Sequence, residues 1–112
     1  MVKLVHLELH TADQAAARSL YGELLGWHAT PVAGSYLALD LGGEVGGGIV
    51  ECGTDRSGWL PYVQVGDVAA VTARARTLGA RVLLEPREGP TGWRSVVATP
   101  AGGELALWRG KR

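Results

Sequence analysis

The sequence predicts an α+β fold built from two tandem β-α-β-β-β modules. Three observations predict it. Short runs alternate apolar and polar residues as strands do, two stretches carry apolar residues at helical spacing behind short polar caps, and this order of elements occurs twice. At 112 residues the chain has room for one domain and not for two independent cores of ordinary size, so residues 1–112 read as a single domain.

Lys3 to Leu9 alternates, with Val5, Leu7 and Leu9 on one side and His6, Glu8 and His10 on the other. Thr11-Ala-Asp-Gln14 fits a capping box, a short polar side chain with Gln three residues on. From Gln14 to Leu25 the apolar positions Ala16, Ala17, Leu20, Tyr21 and Leu24 share a helical face, and Gly26 closes the helix. A strand over Trp27–Thr30, a turn over Pro31–Gly34 and a strand over Ser35–Leu41 follow. In the last of these, Leu37, Leu39 and Leu41 oppose Tyr36, Ala38 and Asp40. A fourth strand runs from Glu44 to Cys52 through Gly46-Gly47-Gly48. These glycines have no lysine and open no helix, so they read as a bend or a site of close approach rather than a phosphate cradle.

Module one spans 1–52, the polar connector 53–58 joins it to the next, and module two spans 59–112. Leu60–Val65 alternates, with Leu60, Tyr62 and Gln64 opposing Pro61, Val63 and Val65. Asp67 caps a helix whose apolar positions are Val68, Val71, Ala75 and Leu78 and which ends at Gly79. A short strand over Arg81–Glu85, a loop over Pro86–Gly92, a strand over Trp93–Thr99, a turn over Pro100–Gly103 and a strand over Glu104–Trp108 complete the module. His6 to Asp13 aligns with Leu60 to Asp67, and Gly42 to Val45 with Gly102 to Leu105. The extra residues of the second half fall around Pro86–Gly92. A half of about 50 residues cannot bury its own helix and sheet faces, so the modules complete one another.

Composition sets bounds on function. The chain is 46% hydrophobic and 20% charged, which supports a buried core. Lys plus Arg equals Asp plus Glu at 11 each, so bulk charge gives no hold on nucleic acid or an anionic membrane. Cys52 is the one cysteine; it excludes an internal disulfide and a multi-thiolate metal site and reads as a small buried apolar residue. No apolar run approaches the roughly 20 residues of a membrane span, and the Met1-Val2-Lys3 start lacks the pattern of a secretion signal, so a cytoplasmic location is expected. There is no nucleophile elbow and no dinucleotide fingerprint, and no cofactor is expected.

Three segments, in this order, resemble the vicinal oxygen chelate superfamily: Val5-His-Leu-Glu-Leu9, Tyr21-Gly-Glu-Leu-Leu-Gly-Trp27 and Thr99-Pro-Ala-Gly-Gly-Glu-Leu105. That superfamily includes glyoxalase I, bleomycin and fosfomycin resistance proteins and extradiol dioxygenases. The resemblance implies a curled mixed sheet forming a cup, helices outside it, a ligand within and often a dimer. A homodimer is expected also because the sheets of so small a chain leave edges to be covered.

The resemblance further implies that metal-dependent members hold a divalent ion with side chains from the first and last strands of each module. Those positions here are His6, Leu60, Gly46 and Ala106, and only His6 carries a donor. A register slip of one would add Glu51 alone. His6, Glu8 and His10 share a face, but successive residues on it are about 6.6 Å apart, too far for all three to meet one ion without strain. No metal is expected.

The expected ligand-binding residues are His6, Glu8, His10, Tyr36, Tyr62, Gln64, Trp93 and Trp108. The rings stack on a guest and the polar groups orient it. Trp27 is assigned to packing, while Trp59 and Arg94 stay undecided between ligand and other roles. The function expected is metal-independent binding of an aromatic or hydrophobic metabolite or antibiotic. Two alternatives stand beside it: a metal-dependent lyase, isomerase or dioxygenase using His6 and Glu8, and a structural or regulatory module whose cup is filled by its own side chains.

Overall fold

A computed structural model of the chain describes residues 2–52 and 57–111. The fold is α+β, with eight strands and two helices among the described residues. In chain order these are β1 (Lys3–Thr11), α1 (Gln14–Leu25), β2 (His28–Ala33), β3 (Tyr36–Asp40), β4 (Gly46–Glu51), β5 (Gly58–Gln64), α2 (Val68–Thr77), β6 (Arg81–Glu88), β7 (Gly92–Ala98) and β8 (Glu104–Gly110). Two compact units result, Val5–Leu60 and Pro61–Arg112 with Met1–Leu4. Residues 53–56 of the expected connector lie outside the described residues.

The first unit has strand order β2-β3-β4-β1, and the second β5-β8-β7-β6. In each, the module's first strand pairs in parallel with its last, and the other pairings are antiparallel. The repeat shows most plainly at the helix caps. Asp13 and Asp67, aligned in the sequence, adopt similar backbone angles and accept from the N–H groups of Ala16 and Ala70, each at 3.0 Å. The cap of α1 is thus Asp13, not the expected Thr11. The Thr11 hydroxyl instead accepts from Asp13 N–H, and Gln14 turns its amide to the carbonyls of Ile49 and Ser35. Gly26 closes α1 in the left-handed region with φ 72°.

Each helix covers one face of its strands. Leu9, Leu37, Leu39 and Ile49 are buried together, with Ala17 and Tyr21 of α1 packed on them. Beside them Tyr21, Trp27 and Trp59 form a ring cluster, with centroids 5.5–6.2 Å apart. In the second unit Val65, Val68, Val97 and Leu107 are buried, with Val71 and Ala75 of α2 against them. Thr72 and Ser95 are buried at this contact and satisfy each other through a 2.7 Å hydrogen bond.

Five expectations are corrected. Leu20 and Leu24, read as core positions of α1, are 54% and 67% exposed; Leu78, past the end of α2, is exposed too. The expected turn at Pro31 is strand, because β2 continues to Ala33. The expected loop at Pro86 is strand as well, because β6 continues to Glu88. Both prolines sit in the outermost strand of their unit next to a register shift, where a missing N–H breaks no ladder. Cys52, expected to be buried, is half-buried, and its N–H donates to the Thr11 carbonyl. Neither helix is long and apolar enough to cross a membrane.

Candidate ligand-binding site

In the first unit the parity of β1 turns His6, Glu8 and His10 to the face away from α1. Glu8 is only 8% exposed. His10 Nε2 lies within hydrogen-bond distance of its Oε1 at 2.8 Å, and His6 Nε2 stands 3.6 Å from its Oε2. Tyr36 arrives from β3, its hydroxyl 3.0 Å from His6 Nε2. The residues expected along one strand as separate points are therefore drawn into one network with Glu8 at its centre.

The glycine run explains how Tyr36 reaches that place. His6 pairs with Gly46 and Glu8 with Gly48 across β1 and β4. A Cβ on Gly48 would collide with the Tyr36 hydroxyl, and one on Gly46 would come 3.0 Å from His6 Nδ1. The run is thus a bed for two of the chain's own rings. Gly47 faces the other way, where a Cβ would strike the Leu39 carbonyl at 2.7 Å.

A divalent ion does not fit this donor set. Opposite His6 lies Gly46, and Leu60 and Ala106 are buried apolar residues. His6 Nε2 already faces the Tyr36 hydroxyl, and among the described residues no three His, Cys, Asp or Glu side chains are placed to share an ion. Asp40, on the same face, has turned to accept from Gly42 N–H.

In the second unit the face away from α2 carries a different chemistry. The register brings Gln64 of β5 opposite Trp108 of β8, Trp108 opposite Arg94 of β7, and Arg94 opposite Arg87 of β6. These four side chains form one row across four strands. Tyr62 and Ala106 lie in the next row, and Arg94 reaches over to donate to the Tyr62 hydroxyl at 3.2 Å. Trp108 rests over the backbone of Gly110, where a Cβ would come 2.8 Å from the ring. Gln64 and Trp108 line an open cleft of about 640 Å³ whose wall continues through Val65, Gly66, Arg109 and Lys111. That volume lies within the range of small-molecule sites, about 300–1,000 Å³.

The expected site residues thus separate into two groups. His6, Glu8, His10 and Tyr36 converge in the first unit, and Gln64 and Trp108 meet at the cleft of the second, while Tyr62 is buried in the next row and does not line that cleft. Trp93 joins neither. It pairs with Arg109 on the face that carries Ser95 and Val97, and is 43% exposed. Sequence reasoning left Arg94 undecided and missed Arg87, whose signal was its pairing partner rather than its spacing. The undecided Trp59 packs with Tyr21 and Trp27.

Comparisons with known proteins agree with this architecture. The family model of a glyoxalase-like domain matches residues 5–108. An anthracycline biosynthesis protein, DnrV of Streptomyces peucetius, is 30% identical over 123 residues, covering 91% of this chain and 45% of its own length. The chain therefore spans about half the length of such curated relatives. A glyoxalase/bleomycin resistance protein/dioxygenase superfamily member from Vibrio splendidus superposes with a TM-score of 0.69 at 19% identity, covering 99% of this chain and 100% of that one. An extradiol ring-cleaving dioxygenase from B. fuscum superposes at 0.70 with 19% identity, covering 98% of this chain and 33% of its own. At such identities the likeness is one of fold.

Proposed function

Because this chain belongs to the glyoxalase-like domain family of the vicinal oxygen chelate superfamily, we propose that it is a metal-independent binding domain for a flat, ring-bearing small molecule. One observation carries this reading: Trp108 and Gln64 stand side by side in an open cleft, a ring to stack on and an amide to orient the guest. The anthracycline biosynthesis relatives favour the same class of guest, since anthracyclines are flat aromatic compounds. The contrast with the first unit adds support. There Tyr36 lies against His6 over the glycines, whereas beside Trp108 space remains.

The test is ligand-dependent thermal stabilisation with a panel of soluble planar aromatics. The expected result is a rise in Tm that grows with concentration and is lost in Trp108→Ala. No rise with any compound would contradict the reading, and is what a protein whose sheet faces serve only structure would give.

We also propose that two copies associate through α1. Leu20, Leu24 and Leu25 are 54%, 67% and 49% exposed on one short helix, and the curated relatives have room for a second domain of this size.

A further inference from the structure

Arg87 and Arg94 are directly opposed across β6 and β7, so two guanidinium side chains rise from adjacent positions on one sheet face. Like charges placed so destabilise a sheet unless something offsets them. The next residue in the row is Trp108, and Arg109 and Lys111, which follow it in the chain, line the same cleft. Trp108 therefore has Arg94 beside it in the row and shares its cleft with two further cations.

Among the described residues Glu8 pairs with His6 and His10, and Glu85 with Arg76, so these carboxylates are engaged away from the row. Asp67, next to the cleft's Gly66, spends its side chain on the cap of α2. Glu104 shares Trp108's face of β8 but lies four residues back, about 13 Å along the strand. Arg109 reaches the Gly66 carbonyl only through a long 3.5 Å contact, so its fork is not committed to a strong partner there.

Resting on the reading that the guest stacks on Trp108, we infer that this guest is a planar organic anion, its ring on the indole and its negative group held by Arg109 and Lys111. The Arg87–Arg94 pair, next to Trp108 in the row, adds to the positive field. Guanidinium and ammonium groups donate charge-assisted bonds to carboxylate or phosphate oxygens, and a neutral guest would leave these cations without that gain. The shared chemistry is an aromatic ring bearing a carboxylate or a phosphate ester.

Calorimetric titration of the whole chain with three probes tests this: naphthalene-2-carboxylate, 2-naphthyl phosphate and the neutral naphthalene-2-carboxamide. At least one of the anions is expected to bind about tenfold more tightly than the amide, and the tighter of the two identifies the charged group. In the Arg109→Gln/Lys111→Gln variant that preference should fall to within about twofold, with the amide's own affinity retained as the sign of an intact fold. Equal binding of all three probes overturns the anion assignment while leaving a ring site on Trp108. Binding of none removes the ring site as well. A preference that survives in the double variant overturns the role given to Arg109 and Lys111.

Discussion

Tyr36 and Gly48 are fitted to each other across β3 and β4: the phenol lies where any side chain at position 48 would have to be. Gly48→Ala is therefore expected to displace Tyr36 from His6 and to cost about 1–3 kcal/mol, the usual penalty for overpacking a tight site. Urea unfolding measures it. In a Tyr36→Ala background the same substitution should cost much less, because nothing remains to collide with. Equal costs in the two backgrounds would contradict the fit.

Thr72 and Ser95 give a second test. Thr72 Oγ1 donates to the Val68 carbonyl at 2.6 Å, so the 2.7 Å bond between the hydroxyls takes its proton from Ser95. Both residues are almost fully buried. Thr72→Val should cost about 1–3 kcal/mol, because Ser95 is left with an unsatisfied donor. Adding Ser95→Ala should recover part of that loss, which a double-mutant cycle by thermal unfolding would show. Strict additivity would mean that the two hydroxyls do not depend on each other.

The donor set also makes a prediction about metals. With Gly46, Leu60 and Ala106 at the other three positions and His6 against Tyr36, chelator-treated protein titrated with zinc or manganese should bind no stoichiometric ion. Thermal stability should likewise be indifferent to chelator. One tightly held equivalent, lost on His6→Ala, would return the chain to the metal-dependent reading.

Association through α1 predicts a dimer in sedimentation. Leu24→Glu, at a residue 67% exposed in the single chain, should shift the protein toward monomer without lowering the cooperativity of unfolding. A wild-type monomer at high concentration would contradict the proposed pairing.

Much of the fold was legible because the local signals agreed with one another. Alternation in β1 and β3, the left-handed Gly26 and the cap Asp67 depend on neighbours in sequence, and the sequence holds those. What escaped depends on distant partners. Pro31 and Pro86 look like turn residues until their strands prove to be outermost in their units. Leu20 and Leu24 have the spacing of a core face, but the strands under α1 take up Ala17 and Tyr21 instead. In the site, parity placed His6, Glu8 and His10 correctly on one face. Backbone rise alone could not show that His10 leans back onto Glu8 or that Tyr36 crosses the glycines. The row from Arg87 to Gln64 needs the register of four strands, which no single segment encodes.

The account is tested most directly by mapping amide, indole and guanidinium NMR shifts as naphthalene-2-carboxylate is added to metal-free protein. Saturable shifts centred on Gln64, Trp108 and Arg109 are the predicted result. Shifts centred on His6, Glu8 and His10, or none at all, would contradict it.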